Sequence, residues 1–508
     1  MRSRQSGNCA HSAFCTLALL GVATLSEPCV AVQARVSATS AGQYYTAQSP
    51  WGEPILRRRR FTQTLGLGLR DLDGYPSSES FDLEFDARLR LDADFGQVPE
   101  QRDPQRPDYY VPGLEQAPLD VMHAYLQARG LLDDTTSLRL GRQYVVDSLG
   151  WWSFDGAWIH MTSPVHLAVE AYGGYEQRGG LPWMSTSRFE ADGVYRGSRD
   201  GLDMDQWPGF LEESRAAPAW GAALQTVGLQ GAQARLSYRR VIERDRVVVG
   251  AVEDAGGRSV YAQDRVSSER FGVAARIDEP GLGGLATQAV YDAYLGILSY
   301  LYATVEWDLR KTLVLAVDGS SYRPTFDADS IFNFFVQNPT QQAVLRADWQ
   351  ALRSVQISGT AGLRMFSTVG DPVEYGAEPM QGLAVNDDVR DYRFDQIASI
   401  TTRTRSGEGT AELNSFAEVG DSGDFWGSRL FTTHTFGEGF YDVMATLSVT
   451  AWRNALRPER DAVSATYVIG GGVTPSRRTH AGLEWEHTMN RLSGQRFRVV
   501  ATLELEAQ

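Results

Sequence analysis

The chain has 508 residues, a formal net charge of −15 and a sequence pI near 5.0. This acidic balance argues against a protein that binds nucleic acid, because such proteins present basic surfaces. The length allows either several soluble domains or one large barrel. All 3 cysteines, Cys9, Cys15 and Cys29, lie in the N-terminal segment that is expected to be removed, so the mature chain would have no disulfide, which argues against a small disulfide-held secreted fold.

The N-terminus has the features of a secretory signal. Arg2 and Arg4 provide a basic start, and Ala13 to Leu25 form an apolar core that is too short to span a bilayer. A small-x-small pattern ending at Ala34 predicts cleavage there. After Leu25 no apolar run reaches the roughly 18–20 residues of a transmembrane helix. The predicted organisation is a signal peptide (1–34), an N-terminal periplasmic segment (35–58) and an outer-membrane β-barrel (59–508).

Residues 81–95, with the sequence FDLEFDARLRLDADF, alternate apolar and charged side chains without interruption. Successive side chains of a β-strand point to opposite faces, so this pattern predicts a strand that separates two different surroundings. The apolar face would meet lipid, where charges are costly, and the charged face would line a water-filled interior.

The same period-two pattern recurs along the chain to its last residues, and about 18 to 21 segments can be counted. The clearest are residues 301–310, 343–350, 441–451 and 497–506. Because open sheet edges are not tolerated in lipid, a membrane-spanning chain of this kind must close into a barrel. The prediction is an all-β fold, a transmembrane antiparallel up-and-down β-barrel of 18 strands, with 16 to 20 possible.

A soluble β-sandwich is the alternative fold, since its strands also alternate apolar and polar faces. Two features favour the membrane barrel. The alternating strands exceed the usual length of 5–6 residues. Aromatic residues also lie near predicted strand ends, as in the interfacial girdles of membrane barrels: Phe81, Phe95, Trp151, Trp152, Tyr441 and Trp452.

The predicted interior mixes acids and bases, which can set up a field across a pore or pair with each other and keep it rigid. Its candidate lining residues are Asp82, Glu84, Asp86, Arg88, Arg90, Arg142, Arg235, Arg239, Glu306, Asp308, Arg346, Asp348 and Arg364. Arginine side chains among them suit the carboxylates of uronic acids or amino acids.

Residues 327–339 are rich in apolar side chains but do not alternate. Phe332, Phe334 and Phe335 could fold into the lumen and narrow it, or the segment could pack as a loop against the barrel rim. Other connections, such as residues 179–218, are long and belong on the extracellular side.

The sequence shows no motif of an enzyme, a metal site or a cofactor site. The 7 histidines are scattered, and neither a zinc-protease, a nucleophile-elbow nor a phosphate-loop motif is present. We therefore predict no catalytic residue, no metal and no cofactor.

The segment from Leu138 to Ile159, LRLGRQYVVDSLGWWSFDGAWI, resembles the "GRQ … DG" region of alginate-export-type outer-membrane porins of Gram-negative bacteria. The resemblance implies an 18-stranded barrel through which a polysaccharide leaves the cell. In this segment Gly141, Arg142 and Gln143 end one strand, and Phe154 to Gly156 open the next. Arg142 is in phase with Leu138 and Leu140, so a β-bulge at Gly141 is predicted to turn it into the lumen.

Four functions remain open. The first, which the resemblance favours, is an outer-membrane pore for a hydrophilic solute, with a secreted polysaccharide leaving through a charged lumen. The second is an uptake porin for small acidic solutes. A barrel enzyme or an adhesion barrel would be the third and fourth. The predicted partners are outer-membrane lipid and the hydrophilic solute or polysaccharide; an exporter would also need periplasmic components, and no nucleic acid is expected.

Overall fold

The computed structural model describes residues 32–52, 54–72, 82–94, 119–176, 217–254, 257–325, 339–369, 390–421, 423–453, 461–491 and 494–507. These residues form 22 strands and one short helical segment. The strands are β1 (Gln33–Gln48), β2 (Pro54–Arg70), β3 (Asp82–Asp94), β4 (Leu119–Gly130), β5 (Thr136–Asp147), β6 (Gly150–Ser163), β7 (Leu167–Glu176), β8 (Ala217–Thr226), β9 (Ala232–Asp254), β10 (Gly257–Glu279), β11 (Gly283–Asp292), β12 (Ile297–Arg310), β13 (Leu313–Tyr322), β14 (Thr340–Leu352), β15 (Val355–Val369), β16 (Arg390–Ser406), β17 (Gly409–Gly420), β18 (Asp424–Phe436), β19 (Tyr441–Arg453), β20 (Ala462–Ser476), β21 (Thr479–Asn490) and β22 (Gly494–Ala507); the helical segment, α1, is Leu131–Asp134.

Each strand pairs antiparallel with its neighbours in the chain, and the first and last strands close the ring. Val36 of β1 lies opposite Ala507 of β22, and the ladder continues to Ala47 opposite Arg496. The fold is an antiparallel closed barrel, which confirms the all-β architecture. Closure matters because it pairs the first strand with the last, which an open sheet would leave with unpaired backbone groups.

The expected number of 18 strands is wrong, since the described residues contain 22. Residues 35–58, expected to be a periplasmic segment, instead contain most of β1 and the start of β2. β1 and β16 lack a clean apolar–charged alternation: Ser40 of β1 bonds Gln63 across the ladder, and Thr and Ser fill the second half of β16. Without that contrast, the period-two pattern did not reveal them as strands.

The two faces of the barrel wall differ in chemistry. In β19 exposure alternates residue by residue, and Leu447 is 52% exposed whereas its neighbours Thr446 and Ser448 are partly buried. Leu345 and Leu483 are exposed in the same way on β14 and β21. We call this apolar surface the outer face. The opposite surface, which carries most of the ion pairs, is the inner face.

The two ends of the barrel differ in the length of their connections. At one end the strands are joined by short stretches, such as residues 164–166, 311–312, 353–354 and 477–478. At the other end residues 95–118, 177–216 and 370–389 separate successive strands. Long connections are typical of the extracellular end of a bacterial barrel. No helix in the described ranges is long and apolar enough to cross a membrane.

Candidate pore and its constriction

The hairpin formed by β5 and β6 leaves the barrel wall in the half of the barrel that is nearer the long connections. The ladder between β4 and β5 stops at Ala124 and Arg142, and the ladder between β6 and β7 stops at Phe154 and Glu176. From Gln143 to Ser153, the two strands pair only with each other. We call residues 143–153 the inner hairpin.

The turn of the inner hairpin contacts strands on the far side of β7 and β8. Arg239 of β9 donates from Nη2 to the carbonyl of Leu149 at 3.0 Å, and Gln288 of β11 donates to the carbonyl of Ser148 at 2.9 Å. Leu149 also lies beside Gly272 of β10. Because these partners lie on the inner face, the hairpin lies across the inside of the barrel and narrows it.

An apolar cluster holds the inner hairpin against the wall. Val145, Trp152 and Phe154 pack on the inner face of β7, β8 and β9, where they meet Tyr172, Ala217, Ala219 and Val241. The rings of Trp152 and Phe154 stack with centroids 4.5 Å apart, and Phe154 is fully buried. Burying side chains of this size contributes roughly 1.5–3 kcal/mol each. The expectation that Trp152 belongs to an interfacial girdle is therefore wrong: its indole is buried inside the barrel and donates to Glu176 at 2.8 Å.

Small residues on the wall make room for the hairpin. The inner face of β8 carries Ala217 and Ala219, which are both almost fully buried. Gly272 has no side chain where Ser148 and Leu149 approach; a Cβ there would lie 2.7 Å from Cδ2 of Leu149. The docking surface therefore depends on alanine and glycine on strands distant from the hairpin in sequence.

Arg142 lies at the bend where the hairpin leaves the wall. Its guanidinium makes two bonds of 2.7 Å to the carboxylate of Asp155 and donates to the carbonyl of Val121 at 3.0 Å. Val121 lies beyond the end of the β4–β5 ladder, so Arg142 fills the gap that the departing hairpin creates. The structure shows no register shift at Gly141, where a bulge was predicted; Gly141 has a φ of 124° instead, which few residues other than glycine adopt.

Most of the other predicted lining residues form ion pairs or hydrogen bonds on the inner face. Arg346 has three carboxylate neighbours: it bonds Glu306 at 2.5 Å, and Asp318 and Asp348 lie at 3.7 and 3.8 Å. The remaining pairs are Glu84–Arg129 at 2.6 Å, Asp86–His123 at 2.5 Å, Arg235–Glu170 at 2.6 Å and Arg364 with Asp395 and Glu418. Many of the charged side chains on the inner face are therefore held in pairs.

Strand pairing and backbone contacts locate four further predicted residues. Asp82 is opposite Arg129, Arg88 is opposite His123, and Arg90 is opposite Asp120 in the β3–β4 ladder. Asp308 lies near the short-connection end of β12, where its backbone N–H donates to Leu282. The predicted constriction at Phe332, Phe334 and Phe335 lies outside the described residues.

The sequence analysis missed two features of the interior. The inner hairpin was one, although its consecutive apolar residues Val145, Val146, Trp151 and Trp152 break the alternation and could have signalled it. Arg139 was the other: it alternates with Leu138 and Leu140, which is the signal that places it on the inner face. In the part of the chain that the structure describes, no group of three or more His, Cys, Asp or Glu side chains could hold a metal ion.

No family model matches this chain, and no curated protein matches its sequence. Solved structures with a similar fold include OccAB4 of Acinetobacter baumannii, with 8% identity, a TM-score of 0.42 and coverage of 94% of this chain and 98% of that one. OpdK of Pseudomonas aeruginosa, solved with vanillate, has 10% identity, a TM-score of 0.41 and the same coverage. A BenF-like porin of Pseudomonas fluorescens Pf-5 has 10% identity, a TM-score of 0.42 and coverage of 94% and 99%.

Proposed function

We propose that this protein is an outer-membrane pore through which small hydrophilic solutes pass into the cell. The observation that carries the proposal is the contrast between the two faces of one closed barrel. Leucines such as Leu447 are exposed outside, whereas paired charges such as Arg346 and Glu306 lie inside. An apolar outer band suits lipid, and a charged inner surface suits water and polar solutes.

The inner hairpin favours small solutes over a polysaccharide chain. It places a packed segment, from Gln143 to Ser153, across part of the lumen, fixed at its tip by Arg239 and Gln288. A pore of this kind selects by diameter and by the groups that line it. Solutes would diffuse through such a pore along their own concentration gradient, which for external nutrients points inward. Export of a secreted polysaccharide is the weaker candidate because the hairpin lies across part of the path.

Two measurements test this function. The refolded protein should give discrete conductance steps in planar lipid bilayers. In a liposome-swelling assay, the swelling rate should fall steeply as neutral sugars increase from a pentose to a trisaccharide. A protein that stays soluble without detergent or gives no conductance would refute the pore. Equal permeation of a monosaccharide and a long oligosaccharide would favour export over uptake.

A further inference from the structure

Arg139 of β5 is held between two aromatic rings on the inner face. Its Cζ atom is 4.6 Å from the ring centroid of Tyr125 on β4 and 4.9 Å from that of Trp158 on β6. Its Nε donates to Oε1 of Gln127 at 3.0 Å. The rings and the amide together fix the plane of the guanidinium, so little side-chain freedom is left to lose when a ligand binds.

Arg139 differs from the arginines around it in having no carboxylate partner among the described residues. Arg129, Arg142 and Arg235 each bond a glutamate or aspartate within 2.7 Å. The bond to Gln127 uses only Nε of Arg139, and Nη1 and Nη2 donate to no described residue. A stacked guanidinium keeps its N–H edge available for an anion, and that edge matches a carboxylate in a two-bond fork.

The carboxylates nearest to this site are already engaged. Glu84 accepts a bond from Arg129 at 2.6 Å, and Asp86 lies 2.5 Å from Nε2 of His123. The charge of Arg129 reduces the repulsion that Glu84 would exert on an incoming anion near Arg139. The site therefore offers a cation whose charge is not balanced by a bonded neighbour.

Aromatic rings continue from Arg139 toward the inner hairpin. The centroid of Tyr125 is 5.8 Å from that of His123, which is 6.1 Å from Tyr144, which in turn is 6.4 Å from Trp151. Tyr144 and Trp151 are 44% and 65% exposed, on the hairpin face opposite the apolar cluster. Aromatic surface thus lies along the path between the constriction and Arg139, where it could contact the ring of a passing solute.

We propose that Arg139 binds the carboxylate of ring-bearing organic acids, with the ring of the solute against Tyr125 and His123. This inference rests on the proposed pore and names a substrate class for it. The shared chemistry is a carboxylate on a six-membered ring, either a sugar acid or an aromatic acid. Acids without a ring gain only the fork to Arg139, and neutral sugars gain only the ring contact.

The test is the block of single-channel current by added solutes, with glucuronate, benzoate, acetate and glucose as probes. Glucuronate or benzoate should block at lower concentration than acetate and glucose. A stronger block by glucuronate would identify sugar acids as the solute, and a stronger block by benzoate would identify aromatic acids. Charge-assisted hydrogen bonds of this kind imply that Arg139→Gln weakens the block by roughly tenfold to a hundredfold. Arg139→Lys should retain only part of the affinity, because lysine keeps the charge but not the planar fork.

Arg403→Gln provides the matched control. Arg403 is also a strand arginine, but it is bonded to Glu412 on β17 and lies far from β5 along the sheet. The added solutes should block the current through this variant at the same concentrations as in the unmodified protein. All variants should show heat-modifiable migration on gels as a sign of folding. Absence of conductance from the unmodified protein would refute the pore itself. Open pores with no preference for ring acids, or with a block unchanged in Arg139→Gln, would refute only the role of Arg139.

Discussion

The inner hairpin and strand β19 contain similar apolar residues in different surroundings. β19 belongs to the wall, pairs on both sides, and exposes Leu447 and Val449 on the outer face. The two strands of the inner hairpin pair only with each other, and the hairpin buries Val145 and Trp152 within the barrel. In β19 the surrounding lipid accepts the apolar side chains. Inside a water-filled lumen, the same kind of side chain must find a protein surface to cover it.

The difference also extends to the way each region is held. A wall strand such as β19 is fixed by two complete ladders of backbone hydrogen bonds. The inner hairpin depends on side-chain packing and on a few bonds at its tip, from Arg239 and Gln288. Segments held in this way open at lower cost than elements with full backbone pairing. The region that narrows the pore is therefore also the region that a small change can displace.

Replacing residues 144–153 by a two-residue Gly-Ser turn should give the largest effect. The barrel wall should still close, because β1 and β22 pair far from this hairpin. Single-channel conductance is expected to rise several-fold, since the segment that crosses the lumen is gone. Arg403→Gln, which leaves the hairpin intact, should keep the conductance of the unmodified protein. An unchanged conductance after the deletion would show that the hairpin does not limit the pore.

Phe154→Ala should loosen the hairpin without removing it. Phe154 is fully buried between the hairpin and the wall, and such truncations cost about 3–5 kcal/mol. The loss should appear as faster chymotrypsin cleavage at Tyr144 and Trp151 and as noisier open-channel current. Phe394→Ala removes an exposed ring on the outer face and is the matched control. Equal cleavage rates for the two variants would contradict the inferred packing of the hairpin.

Leu447→Arg tests the wall side of the comparison. An arginine on the lipid-facing side near the midplane costs about 2–4 kcal/mol. The free energy of unfolding, measured by urea titration in lipid vesicles, should fall by that amount. Thr446→Arg, one residue away on the inner face, should change it much less because its charge meets water. If both substitutions cost the same, the assignment of outer and inner faces would fail.

Much of the wall could be predicted from the sequence because its residues interact mainly with their surroundings. Leu83 and Phe85 against Glu84 and Asp86 define two faces regardless of which strand lies alongside. The strand number could not be obtained in this way. β16 shows how the pattern fails, since Gln396 lies on its exposed face and Ile397 on the opposite one.

The sequence by itself determined that this chain builds strands with one apolar and one charged face, because a period of two is a local property of the backbone. Only the tertiary structure decided where the constriction lies. The inner hairpin depends on Gly272, Arg239 and Gln288, which are far from residues 143–153 in the chain and meet them only across a closed barrel. The same holds for Arg139: within the described ranges, β4 and β6 place the rings of Tyr125 and Trp158 beside its side chain, and no carboxylate bonds it. Local pattern fixes the face on which a side chain lies, and long-range pairing fixes what it meets there.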